Sequence, residues 1–174
     1  VFRPARIARM DSDTMRGADD YEIVLERFRR GELDILIGTQ MIAKGLHFPN
    51  VTLVGIINAD LGLTMPDFRA SERTFQLITQ VAGRAGRGDI RGEVIIQTHN
   101  PDNETILYAA NQDYDGFSKF DLEFRELLEY PPYTHLITVF FRGEDESKLV
   151  EYATQFTAEL RPYILDEMKV AGPS

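Results

Sequence analysis

With 174 residues, 43% of them hydrophobic, the chain is long enough for one ordinary domain, or for one domain and part of another. It has no cysteine, and its three histidines (His47, His99 and His135) show no ligand spacing, which excludes disulfides and thiolate metal sites and predicts a metal-free chain. No apolar run approaches the ~18–20 residues of a membrane span, and a net charge of −9 argues against a generally nucleic-acid-binding surface.

The charge is unevenly divided. Residues 1–92 carry 13 basic and 12 acidic side chains, whereas residues 93–174 carry 6 basic and 16 acidic. Any phosphate contacts are therefore expected in the first half.

In chain order, Arg6–Met10 reads as a strand, followed by a polar cluster, Asp11-Ser-Asp-Thr14, suited to a loop or a helix cap. Tyr21, Val24, Leu25 and Phe28 follow the i, i+3, i+4, i+7 spacing of an amphipathic helix, with Asp19 and Asp20 at its amino end and Gly31 as its C-cap. Asp34–Gly38 is a short apolar run expected to be a strand buried on both faces, and Asn50–Ile57 and Gly92–Gln97 repeat that character. Strands separated by helical patterns predict right-handed βαβ units, a mostly parallel sheet covered by helices, and a site beyond the carboxyl ends of the strands.

Thr39 and Gln40 directly follow the strand ending at Gly38, and Met41–Lys44 reads as a short helical turn. Its free amides and the Thr39 hydroxyl could hold a phosphate, or Thr39 could simply cap the turn. Gly45 permits close backbone approach. Asp60, at the end of the next strand, either faces a cleft or caps its loop. Asp67-Phe-Arg-Ala-Ser-Glu-Arg73 leads into a helix with Phe75, Ile78 and Ala82 on a core face, and Arg69, Glu72 and Arg73 are candidates for an ion-pair network. Asn103–Gln112 and Tyr114–Glu129 read as two further helices. Tyr130-Pro-Pro-Tyr133 interrupts the pattern, because proline lacks the amide donor. Leu136–Arg142 is predicted to be a strand and Ser147–Leu160 a helix. One strand and one helix make a poor independent core, so the chain looks cut at both ends.

The chain is organised around Gln80-Val-Ala-Gly-Arg-Ala-Gly-Arg-Gly88. Arg84 and Arg87 each follow a glycine and stand three residues apart, which on a helix puts both on about one face. Gly83 and Gly86 remove bulk beside them. A guanidinium is a planar, permanently charged fork suited to phosphate oxygens. The pair is either presented to a nucleotide phosphate from outside its main pocket or is a basic turn making surface ion pairs. Gln80, one turn before Arg84, could reach the same ligand.

Gln80–Arg87 resembles motif VI of the superfamily 2 helicases, Q-x-x-G-R-x-G-R, and Ile35–Pro49 resembles their motif V. Together with Lys44-Gly-Leu-His-Phe-Pro49 and Asp67-Phe-Arg-Ala-Ser-Glu-Arg73, the set is similar to the primosomal replication-restart helicases, from about Arg6 to Tyr133. The resemblance implies a RecA-like three-layer α/β lobe over 1–112, a helical connector over 113–130 and the incomplete start of a small α+β domain over 131–174. It implies Arg84 and Arg87 as catalytic arginines and Gln80, Gly45 and Gly83 as nucleotide-binding. Thr39, Gln40 and Lys44 become nucleic-acid-binding. His47 stands where many relatives outside this group carry aspartate, which leaves its role open.

The phosphate loop G-x-x-x-x-G-K-[ST] and a paired acidic motif for magnesium are not in this sequence. By resemblance they belong to a first lobe, which would hold ATP and Mg2+, and zinc belongs to a cysteine-rich module elsewhere. The implied partners are forked or single-stranded DNA, primosome proteins, single-strand-binding protein and the first lobe in cis, in the bacterial cytoplasm at the nucleoid. The implied activity is 3′-to-5′ DNA unwinding in replication restart, with this chain alone inactive. The alternatives are a non-enzymatic RecA-like binding module and a DNA translocase that does not separate strands.

Overall fold

A computed structural model describes residues 4–11, 18–38, 51–83, 85, 92–165 and 168–172. The chain divides into two compact units, 1–134 and 135–174.

In the first unit, β1 (Ile7–Met10) and β2 (Ile35–Gly38) form a parallel ladder with Ile7 opposite Ile35 and Met10 opposite Gly38. The helix between them, α1 (Ala18–Arg29), is the crossover that a parallel pair requires. Its sequence stripe does what the spacing predicts. Leu25 is buried with Met10, and Tyr21, Val24 and Phe28 pack against them. Gly31 ends the helix at φ 71°, a left-handed conformation that glycine adopts without a Cβ penalty. The N–H of Gly31 donates to the carbonyl of Phe28 at 3.1 Å, and that of Glu32 to the carbonyl of Arg27 at 3.0 Å.

A second parallel ladder joins β3 (Leu53–Ile56) to β4 (Glu93–Ile96), with Leu53 opposite Glu93 and Ile56 opposite Ile96. Between them lie α2 (Asp60–Leu63) and α3 (Ala70–Ala82), and β4 is followed by α4 (Glu104–Ala110) and α5 (Tyr114–Leu127). Both later helices begin on a side-chain cap: Asn103 accepts from the N–H of Ile106, and Asp113 from that of Gly116. The main core gathers Ala59, Phe75, Ile78, Ile106, Ala109 and Phe117, with Ile56, Leu63 and Ile96 packed against it. Phe75 and Phe117 stack with ring centroids 4.2 Å apart. Fully burying such a ring stabilises the fold by about 1.5–3 kcal/mol.

The sequence-based expectation of strands buried on both faces does not hold. Ile37, Leu53 and Ile95 are each about half-exposed. The described ladders have two strands each, so among the described residues each strand is paired on one side only, and helices cover only part of it.

The second unit carries α6 (Glu146–Leu160), capped by Asp145, and a 3-10 turn over Arg161–Tyr163. Leu136–Arg142, predicted to be a strand, is not one. Its β-branched and aromatic residues favour extended backbone, but a strand also needs a hydrogen-bonding neighbour, and no described residue pairs with this segment. Phe141 meets Phe156 of α6 edge-on at 5.6 Å, while Ile137 and Phe140 stay exposed. No described helix is long and apolar enough to cross a membrane.

Candidate functional site

Two chain segments bearing the candidate residues leave from the ends of these elements. Gly38 is the last residue of β2, and Thr39, Gln40, Lys44, Gly45 and His47 lie outside the described residues. Arg84 and Arg87 also lie outside them, but their approach is described. Gln80 is exposed in the last turn of α3, and the N–H of Gly83 donates to the carbonyl of Thr79 at 3.0 Å. Gly83 has φ −65°, an ordinary helical value. What glycine supplies there is therefore lack of bulk, not backbone freedom. Ala85 donates to the carbonyl of Ala82 at 3.2 Å, so the turn tightens as the helix ends.

Asp60 caps a loop junction. Its carboxylate accepts from the Thr98 hydroxyl at 2.7 Å and from the backbone N–H of His99 at 2.8 Å. The segment after β3 is thereby tied to the segment after β4. The His99 N–H and then the Thr98 hydroxyl hold the Asp60 carboxyl below the usual carboxylate range, because both bonds favour the charged form.

The predicted Arg69–Glu72–Arg73 network takes a different shape. Arg73 pairs with Asp67 at 2.7 Å, and Asp67 also accepts from the N–H of Arg69 at 2.9 Å. Glu72 pairs instead with Arg125 of α5, at 2.8 Å. Arg125 is buried and also meets Asp121 at 2.8 Å. Its guanidinium donates to the carbonyl of Pro131 at 3.4 Å and lies 5.2 Å from the centroid of the Phe68 ring. Phe68 in turn stacks on Tyr130, centroids 5.7 Å apart. Burial raises the Asp121 carboxyl and Glu72 adds to that, against the pull of Arg125.

This hub was missed in the sequence. Asp121 and Arg125 stand four apart, a spacing that on a helix ordinarily marks a surface pair. Nothing local announces a partner 53 residues away. Among the described residues no group of His, Cys, Asp and Glu gathers as a metal site.

Parallel ladders with helices between their strands define an α/β lobe, and the family profile of the helicase conserved C-terminal domain matches residues 3–89, half of the chain. The chain belongs to that family and has the α/β architecture of a RecA-like C-terminal helicase lobe. Its relatives are narrower than the family. The replication restart protein PriA of Chlamydia pneumoniae is 51% identical over 83% of this chain and 19% of its own length. PriA of Bacillus subtilis is 45% identical over the whole chain and 22% of its own, and PriA of Rickettsia felis is 44% identical over the whole chain and 26% of its own. The chain thus spans about a fifth to a quarter of the length of these relatives, and the similarity supports a C-terminal helicase segment of the PriA type. The C-terminal domain of the DEAD-box protein Dbp5 is a more distant structural neighbour, 21% identical with a TM-score of 0.39 over 69% of each chain.

Proposed function

We propose that this chain forms the second lobe of an ATP-dependent 3′-to-5′ DNA helicase acting in replication restart. What carries the reading is the similarity to PriA proteins along the whole chain. The described end of α3 supports it, because Gln80 is exposed beside the point from which the arginine pair departs.

In this reading ATP and Mg2+ would be held mainly by the first lobe, and bound ATP would supply the phosphoryl group that passes to water once the two lobes have closed on it. Arg84 and Arg87 contribute guanidinium charge to the phosphate oxygens, with Gln80, Gly83 and Gly45 lining the nucleotide side. Such an arginine is worth roughly 10³–10⁵ in turnover. Thr39, Gln40 and Lys44 hold the backbone of single-stranded or forked DNA. Primosome and single-strand-binding proteins are the further partners.

The test is Arg87→Ala in the full-length protein. A group engaged mainly in the transition state affects turnover and leaves ground-state binding nearly intact. The variant is expected to lose most ATPase turnover and all unwinding while keeping ATP and forked-DNA affinity within a few-fold. Arg87→Lys should restore little, since a point charge does not reproduce the fork. A variant with a lowered Tm and normal turnover per folded molecule would overturn the assignment.

A further inference from the structure

Helix α3 has a polar stripe as well as a core face. With 3.6 residues per turn, Glu72, Gln76, Gln80 and Gly83 fall within an arc about 80° wide, spread over about 16 Å of helix axis. The stripe is internally bonded at its start: the Gln76 amide donates to Glu72 Oε1 at 3.2 Å. Glu72 Oε2 is gripped by Arg125.

Arg125 is 8% exposed, and its Nε is a buried donor with no hydrogen-bond partner among the described residues. Neutralising a buried guanidinium needs one carboxylate, and Asp121, one turn earlier on the same helix, already supplies it. Glu72 is a second carboxylate, partly exposed, that charge neutrality does not require. What it adds is a link between elements: it ties the first turn of α3 to α5, while Phe68 and the Pro131 carbonyl close over the guanidinium.

We propose that Arg125 is a positioning residue for the phosphate-facing end of α3. Acting through Glu72, it sets the rotation of α3 about its own axis, and so the direction in which Gln80 and the chain beyond Gly83 are presented. The inference rests on the lobe reading given above. Arg125 touches no nucleotide in this scheme, and its effect travels along a rigid helix.

The test uses Arg125→Met, Glu72→Gln, Asp121→Asn and Arg125→Lys in the full-length protein. The readouts are DNA-stimulated ATPase kcat and KM per folded molecule, and hydrogen exchange in a peptide spanning Thr79–Gly83. Small misplacements of a catalytic group cost up to about a hundredfold. Arg125→Met and Glu72→Gln are expected to lower kcat about ten- to a hundredfold, with KM for ATP within about twofold and faster exchange at the end of α3. Combining the two should be no worse than the more damaging single change. Asp121→Asn should lose much less, since it leaves the link to α3 in place, and Arg125→Lys should recover part of the loss.

A hub that merely braces the fold would make Asp121→Asn and Glu72→Gln equally harmful, and would lower Tm while sparing kcat. Either result, or unchanged exchange at the end of α3 in an active protein, overturns the inference alone. A wild-type protein that does not hydrolyse ATP overturns the lobe reading and the catalytic part of this inference with it, and the exchange data then still decide whether Arg125 holds α3.

Discussion

Asp34 sits where the first ladder begins and receives three donors from one residue. The backbone N–H and Nε of Arg6 reach its Oδ2 at 2.8 and 3.0 Å, and Nη2 reaches Oδ1 at 2.8 Å. The same Nη2 bonds the carbonyl of Gly31 at 2.7 Å, so one arginine joins the end of α1 to both strands. The side-chain bond from Arg6, then its backbone bond, hold the Asp34 carboxyl at about 2, below its ordinary 3.8. A carboxylate with a depressed folded-state pKa stabilises the fold above its unfolded value and loses that contribution as pH falls. Asp34→Asn should therefore lower the urea midpoint at pH 7, and the gap to wild type should close between about pH 3.8 and about 2. A gap that persists at the acid end would refute the charge account. Both side chains are about half-exposed, so the effect should also shrink with added salt. Neither this clamp nor the Glu72–Arg125 link was legible in the sequence, because partners 28 and 53 residues apart become neighbours only through the fold.

Among the elements, α1, α3, α4, α5 and α6 follow from periodicity and from caps such as Asn103, Asp113 and Asp145. The four short strands were legible as apolar runs between turns. Helix α2, only four residues long, was not, since one turn has no period to detect. Leu136–Arg142 misled for the opposite reason: propensity is local, whereas strand pairing is not. Helix α2 rests on α3 at a point where Gly62 faces Thr74, and an added Cβ would overlap Thr74 Oγ1. Thr74 is buried, and its hydroxyl has no hydrogen-bond partner among the described residues. Two effects compete in Gly62→Ala. Helix propensity gains about 1 kcal/mol, and overpacking costs about 1–3 kcal/mol. The substitution should lower Tm in the wild-type background and raise it in a Thr74→Ala background. The same sign in both backgrounds would show that this contact does not govern the packing of α2.

For the molecule as a whole, the family was legible because short motifs carry it, even though most of their side chains lie outside the described residues. Gln80 and Gly83 were placed by a helix end that the sequence marks with glycine. In the proposed reading, the −10 charge of residues 93–174, beside +1 for residues 1–92, would direct nucleic-acid contact to the first part of the chain. In the lobe reading proposed above, the motifs present here would complete a nucleotide site only with a phosphate loop and acidic pair that this sequence does not carry. Residues 1–174, purified and folded by circular dichroism, should therefore show no ATP hydrolysis with or without DNA. A rate comparable with that of an intact helicase would overturn the two-lobe reading. The pairing of Met10 with Gly38 has its own consequence. Strands in a ladder lie about 4.8 Å apart, so the chain segments that follow β1 and β2 share one mooring. Inserting a single residue into β2 would advance the start of the second segment by about 3.3 Å and turn its first side chain to the opposite face.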